Sequence, residues 1–313
     1  MSKMLVFPGQ GSQIVGMGKD LFDNFTCAQH VFQEVDDALS QKLSHIIFNG
    51  SLEELTLTEN TQPALMAMSM AVIAVLKQEK NFKITDFDCA AGHSLGEYSA
   101  LCAAGVFSLS DTARLLKIRG QAMQQAVPVG VGTMAAILGL SFDKVEALAI
   151  EASQGLVCAA ANDNSEGQVV VSGHQEAIDR ITILAKEAGA KRVVALPVSA
   201  PFHCSLMQPA ADKMAEALNN VPMNKAIIPV IANVLVAPIT EPDIIKNALI
   251  QQVTGRVRWR ETMAWVAQKN ASHIYEIGAG KVLSTMCKRA IKTAEHVSAI
   301  NTLDDIKSVI INA

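Results

Sequence analysis

Short apolar runs bounded by turn residues recur along the chain, and between them lie longer stretches with apolar positions at helical spacing. Met4 to Phe7 is the first such run and predicts a strand. It stops at Pro8-Gly9-Gln10-Gly11-Ser12-Gln13, a loop continued by glycines at 16 and 18. Residues 20 to 50 read as helices with polar faces. Thr58 to Pro63 reads as a helix start, with Thr61 as a candidate cap and Pro63 in the first turn. That helix should run to about Gln78. Its segment from Ala64 to Leu76 is the longest apolar stretch, interrupted by Ser69 and too short to span a bilayer, so it reads as a buried helix. A second apolar run (Phe87, Cys89, Ala90, Ala91) leads into Gly92-His93-Ser94-Leu95-Gly96, and a small-residue helical stretch follows from Glu97 to Ala104. Leu109 to Gln125 again has helical periodicity, with Ser110 or Asp111 as caps. It carries Arg114, Lys117 and Arg119, and the spacing of Arg114 and Arg119 does not require a shared face.

The texture changes from Val127 to Pro197. Thr133 to Leu140 predicts a strand, Ser141 to Ser153 a helix capped by Ser141, and Leu156 to Ala161 a strand. Asn162-Asp163-Asn164-Ser165-Glu166-Gly167 reads as a turn. A strand from Gln168 to Ser172, a helix from His174 to Gly189 and a strand from Lys191 to Leu196 complete the segment. The order β-α-β-β-α-β is that of a ferredoxin-like subdomain. Gly130 to Ala135 formally matches G-x-G-x-x-A, but it precedes a strand instead of joining a strand to a helix. Within the Ser199 to Ser205 stretch, His203 follows a proline-containing loop and should start a helical run to about Leu218. Strands at 227–232 and 274–277, helices at 243–252, 259–269 and 282–290, and the runs 297–300 and 304–310 close the chain. Strands alternating with helices imply a parallel sheet covered on both faces.

Composition narrows the class. The 313 residues suit one large domain, or one plus a smaller one, and half of them are hydrophobic, enough for a sizeable core. A net charge of −4 without basic stretches gives no support for a nucleic-acid partner. The six cysteines (27, 89, 102, 158, 204 and 287) lack metal-binding spacing and read as reduced thiols of a cytoplasmic protein. The apolar run at the N-terminus is too short for a signal peptide, and neither a membrane partner nor a metal site is expected.

Chemistry concentrates at the serine held between two glycines. Strand, tight turn and helix in that order form the setting of a nucleophile elbow, in which Gly92 and Gly96 leave room for the turn. The helix begins at the serine, so its free N–H groups and positive dipole end point at whatever Ser94 attacks. The N-terminal glycine loop lacks the Gly-Lys-Ser/Thr ending of a phosphate-binding loop. His203 is a candidate base.

Several stretches together resemble one family: Phe7-Pro8-Gly9-Gln10-Gly11-Ser12-Gln13, Thr61-Gln62-Pro63-Ala64, Gly92-His93-Ser94-Leu95-Gly96-Glu97, Ala200-Pro201-Phe202-His203, Gln252 seven residues before Trp259, and Glu276-Ile277-Gly278. In this order they resemble the malonyl-CoA:acyl carrier protein transacylases of bacterial type II fatty acid synthesis. The resemblance covers essentially the whole chain, and its first and last motifs lie near the two ends, as expected of a free enzyme. It implies an α/β-hydrolase-like core of residues 1–126 and 198–313, interrupted by the ferredoxin-like subdomain of 127–197.

The resemblance also implies roles. Ser94 would carry the malonyl ester, and His203 would act as base and then as acid toward the leaving CoA thiolate. The backbone carbonyl of Gln252 would orient His203, in keeping with the lack of a convincing triad acid. The N–H groups of Gln10 and Leu95 would form the oxyanion hole. Arg119 would hold the malonyl carboxylate, a fork that lysine cannot copy. Phe202 would crowd the α-carbon. Asn162 either contacts CoA or is an ordinary turn residue. Lys288, Arg289 and Lys292 either meet an acidic carrier protein or form a solvated face. Ala279 departs from the usual Gly-Pro-Gly. Malonyl-CoA and acyl carrier protein are the implied partners, no cofactor is implied, and a monomer is expected. Two other readings are a serine hydrolase, which predicts a triad acid and has no use for Arg119, and a non-catalytic scaffold, in which replacing Ser94, His203 or Arg119 would be silent.

Overall fold

The computed structural model describes residues 2–198 and 200–309. Ser199 and the last residue of the run read as 304–310 lie outside the described residues. The protein is a mixed α/β structure with two sheets. Its strands are β1 (Ser2–Phe7), β2 (Cys89–Gly92), β3 (Gly132–Leu138), β4 (Cys158–Ser165), β5 (Gln168–His174), β6 (Arg192–Ala195), β7 (Val230–Ile231), β8 (Pro238–Ile239), β9 (Ala271–Ile277) and β10 (His296–Ile300).

The larger sheet has the order β10-β9-β1-β2-β7-β8. Its strands run parallel except β8, which pairs antiparallel with β7. Side chains alternate across each strand, so one apolar run can serve two faces. Met4 and Val6 of β1, Cys89 and Ala91 of β2 and Ile274 of β9 pack with Trp259, Met263 and Leu283 on one face. Leu5, Phe7, Ala90, Tyr275 and Ile277 face the other way, into the largest core cluster. That cluster contains the 64–76 stretch, which lies within the Thr58–Lys80 helix and is almost wholly buried. No described helix is long and apolar enough to cross a membrane.

The smaller sheet is antiparallel with the order β4-β5-β3-β6. The chain passes through it as strand, helix, strand, strand, helix, strand, with helices Phe142–Ser153 and Gln175–Glu187. Ala135, Ile137, Val169 and Val171 pack against Val145, Leu148, Ile178 and Ile181 of those helices. Met134, Ala136 and Val170, on the opposite face, join the main core.

Several local expectations are corrected. Residues 162–165 continue β4 instead of turning; only Glu166 and Gly167 form the turn. Tertiary contacts outweigh the turn preference of Asn and Asp here: Asn162 bridges to Val257, and buried Asp163 pairs with Arg260 at 2.8 Å. Thr61 is not a cap but a buried helical residue that donates to the Leu55 carbonyl, and Pro63 sits at the sixth helical position. Ser108, not Ser110 or Asp111, caps the Leu109–Gln125 helix by accepting the Asp111 N–H. His203 lies just before the helical run, which starts with a short 3-10 turn at Ser205–Met207 and continues as Gln208–Asn219. The 227–232 strand shrinks to β7, and its partner β8 was not anticipated.

The elbow between β2 and the Leu95–Ala103 helix explains its glycines by contact. A Cβ on Gly92 would lie 1.9 Å from the Gly96 carbonyl carbon and oxygen, and one on Gly96 would lie 2.3 Å from the Phe7 carbonyl oxygen. Both obstacles are backbone and cannot rotate away. Gly92→Ala is therefore expected to lower stability by about 2 kcal/mol or more in urea denaturation; a loss within a few tenths would mean the elbow is looser than drawn.

Candidate active site

Ser94 sits at the tip of the elbow with φ 54° and ψ −111°, a conformation that L-residues rarely adopt. His203 also has a positive φ, 59°. The two side chains meet: Ser94 Oγ and His203 Nε2 are 2.8 Å apart. On the far side of the ring, His203 Nδ1 lies 2.9 Å from the Gln252 main-chain carbonyl. A carbonyl oxygen only accepts, so Nδ1 carries the proton and Nε2 offers its lone pair to the Ser94 hydroxyl.

Arg119, only 1% exposed, projects to the same point. Its Nη2 donates to Ser94 Oγ at 3.2 Å and to Gln252 Oε1 at 2.9 Å, while Nη1 donates to Gln62 Oε1 at 2.7 Å. The guanidinium lies over the Tyr98 ring, 5.6 Å from its centre. Gln252 is a hub. Besides these two acceptor contacts, its Nε2 donates to the Ser94 carbonyl at 3.0 Å and to Glu97 Oε2 at 2.8 Å.

The elbow's main chain is held from outside. Asn233 Oδ1 accepts the Ser94 N–H at 2.8 Å, and Asn233 Nδ2 donates to the Gly92 carbonyl at 2.7 Å. The Gln10 side chain accepts from Thr58 Oγ1, and Thr58 Oγ1 in turn accepts from Gln62 Nε2. A polar chain thus links the glycine-rich loop to Arg119. The N–H groups of Gln10 and Leu95 have no hydrogen-bond partner among the described residues. Both residues line a cavity of about 180 Å³ together with Ser94, His203, Arg119, Phe202, Asn162 and Met134.

All six sequence-predicted site residues, Gln10, Ser94, Leu95, Arg119, His203 and Gln252, therefore converge on one place. Phe202 and Asn162 line the cavity, Asn162 from a strand. Ala279 is buried between two glycines of positive φ, in a loop where Glu276 accepts the N–H groups of Leu283 and Ser284. Lys288 and Arg289 are exposed on the Val282–Ala290 helix, and Lys292 is exposed just beyond it. Sequence reasoning missed Asn233, which stands in no motif. Gln62 and Glu97 stand within the family motifs, but nothing in those motifs shows what they bind.

Electrostatics follow from burial. His203 is pushed down to about 3, first by desolvation and then by the Arg119 charge. Burial also lowers His93, whose Nε2 lies 2.8 Å from Asn164 Oδ1. Burial pushes the Glu97 carboxyl up to about 7, against the pull of the Asn233 N–H, the Gln252 amide and the Arg119 charge.

The acyl transferase domain family matches residues 4–307. The malonyl CoA-acyl carrier protein transacylase of Escherichia coli is 44% identical over 296 residues, covering 95% of this chain and 94% of that protein. The crystal structure of an acyl-carrier-protein-S-malonyltransferase from Bartonella henselae superposes with a TM-score of 0.95 at 52% identity, covering 98% of both chains. A malonyl-transacylase solved in complex with a type II PKS acyl-carrier protein gives a TM-score of 0.95 at 40% identity, covering both chains in full.

An ordinary histidine titrates near pH 6.5, whereas the His203 ring should stay neutral from pH 8 to below pH 5 in nitrogen-detected histidine NMR spectra. A ring resonance assigned to His203 by loss in His203→Gln and titrating near 6.5 would contradict the burial argument. Because the unfolded ring takes up its proton near 6.5 and the folded ring near 3, this group's contribution to stability is intact above pH 6.5. It is lost as pH falls toward 3, at up to about 1.4 kcal/mol per pH unit.

Proposed function

The chain belongs to the acyl transferase family, and from that premise we propose that it transfers the malonyl group of malonyl-CoA to acyl carrier protein for fatty acid synthesis, through an ester on Ser94. The observation that carries this reading is the meeting of three groups in one cavity. Ser94 Oγ lies 2.8 Å from His203 Nε2 and 3.2 Å from Arg119 Nη2. A nucleophile, its base and a carboxylate clamp are what a malonyl thioester requires.

In the first half-reaction Ser94 Oγ attacks the thioester carbonyl and its proton passes to His203 Nε2. The N–H groups of Gln10 and Leu95 receive the oxyanion, which is where preorganised donors contribute most. The tetrahedral intermediate collapses, the carbon–sulfur bond breaks, and His203 returns the proton to the CoA thiolate. In the second half-reaction the carrier's phosphopantetheine thiol takes the place of the CoA thiol and the steps run in reverse: His203 takes the thiol proton, the sulfur attacks the ester carbonyl, the bond to Ser94 Oγ breaks, and His203 returns the proton to Ser94 Oγ. Gln252 orients His203 through its carbonyl throughout. Serine and histidine supply nucleophile and base without a metal or organic cofactor. The reading places the enzyme in the cytoplasm as a monomer.

The same reading divides the chain into an α/β-hydrolase-like core (1–126 and 198–313) and a ferredoxin-like insertion (127–197). Two features support this division: the separate sheets, and a cavity lined both by Ser94 and by Met134 and Asn162 of the smaller sheet. Arg119 favours malonyl over acetyl. An acetyl group would leave the buried guanidinium without its anionic partner.

The test is intact-protein mass after brief mixing with malonyl-CoA or acetyl-CoA. Wild type should gain a malonyl adduct that a carrier protein removes, and Ser94→Ala should gain none. Arg119→Ala should lose about 100-fold in kcat/KM for malonyl while acetyl transfer falls far less. An adduct lost to water as fast as it forms would instead favour a hydrolase.

A further inference from the structure

Glu97 is a fully buried carboxyl that the transfer steps leave unused. Its Oε2 accepts the Asn233 main-chain N–H at 3.0 Å and the Gln252 side-chain amide at 2.8 Å, while Oε1 is buried with no partner. Arg119 is the matching oddity. It is a buried cation whose hydrogen-bond acceptors are the Gln62 and Gln252 amide oxygens and Ser94 Oγ, with no carboxylate in direct contact among the described residues. The Gln252 amide spans the two: Arg119 Nη2 donates to its oxygen, and its nitrogen donates to Glu97. Glu97 is thus the counter-charge of Arg119 at one amide's remove. Such a counter-charge offsets the cost of an isolated buried cation.

We propose that Glu97 is the internal counter-ion of Arg119, and that it takes up a proton from solvent when a malonyl carboxylate occupies the guanidinium. The proposal rests on the malonyl reading of Arg119. Before binding, the pair Arg119 and Glu97 is neutral. A second carboxylate would leave the dry site with one negative charge too many, and two carboxylates around one cation cannot both stay ionised there. The substrate's carboxylate holds the direct contact, so the proton goes to Glu97, onto Oε1. One proton leaves the acid form of the buffer, which keeps the electron pair, and binds that oxygen; the site is neutral again.

The neighbouring groups fit this assignment. Arg119, from the Leu109–Gln125 helix, is the charge facing Glu97, and Tyr98 is its neighbour on its own helix. The segments bearing Asn233 and Gln252 bring only neutral amides to it. His203 faces Arg119 and His93 and begins near 3, too low to titrate at neutral pH, whereas Glu97 already lies near 7.

The test is calorimetry on Ser94→Ala at pH 7.5, with malonyl-CoA and acetyl-CoA, each in two buffers of different ionisation heat. The CoA portion cancels between the ligands. Malonyl-CoA should take up most of one proton more than acetyl-CoA, and Ser94→Ala/Glu97→Gln should bind malonyl-CoA without that excess. The same uptake in the double variant would overturn the proposal. Should the double variant not fold, Ser94→Ala alone decides. Its preference for malonyl-CoA over acetyl-CoA should rise as pH falls from 8.5 to 7, by up to about tenfold per pH unit; a pH-independent preference would overturn the assignment. Failure of the underlying malonyl reading looks different: Ser94→Ala and Ser94→Ala/Arg119→Ala would then bind malonyl-CoA equally well.

Discussion

The approach of the Gly96 backbone to the Phe7 carbonyl is the constraint on which the site depends. The strand carrying Phe7 and the helix opening after Ser94 come closer than any side chain would allow. That closeness leaves the chain no relaxed route from strand to helix, and Ser94 takes up the strain as a positive φ. The strained serine is then locked from two directions. Asn233 holds its N–H and Gln252 its carbonyl. Strain of this kind persists only where the surroundings over-determine it, and here two side chains from distant parts of the chain do so.

Around that point the protein arranges polar groups with few full charges. Between Arg119 and Glu97, and between Arg119 and the glycine-rich loop, stand neutral amides and one hydroxyl: Gln252, Gln62 and Thr58. Amides are suited to this, because each presents a donor and an acceptor at a fixed separation. The result is a dry, rigid frame in which His203 is held neutral by burial and by the nearby cation. Under the proposed mechanism this neutral ring is the form that can take the Ser94 proton, and its low proton affinity favours handing that proton on to the leaving thiolate.

Much of this was legible in the sequence, for reasons that differ by residue. The elbow could be read locally, since glycines flanking a serine between strand and helix reflect a steric requirement of the turn itself. Locally His203 was visible only as an isolated histidine after a proline-containing loop, and the family motif around it gave it a role. Arg119 and Gln252 acquired roles through family resemblance, because nothing in their immediate neighbourhood shows that the fold carries them to Ser94. Asn233 gave no signal: it follows a two-residue strand, and its side chain bonds the main chain of residues about 140 positions away. The stretch from Asn162 to Ser165 misled, because its composition favours a turn. Arg260, Val257 and His93 hold it in a strand by contacts that no local window contains.

The first strand of the chain lies in the interior of the larger sheet, flanked by β2 on one side and β9 on the other. Its partner β9 begins at Ala271. A ribosome must therefore synthesise nearly nine-tenths of the polypeptide before the opening segment can gain its second neighbour. Until then a strand of six residues, four of them fully buried in the finished protein, waits with an unsatisfied edge. Parallel pairings of such long range form slowly and leave nascent chains open to aggregation. The larger sheet can therefore close only late in synthesis, long after every strand of the smaller sheet has emerged.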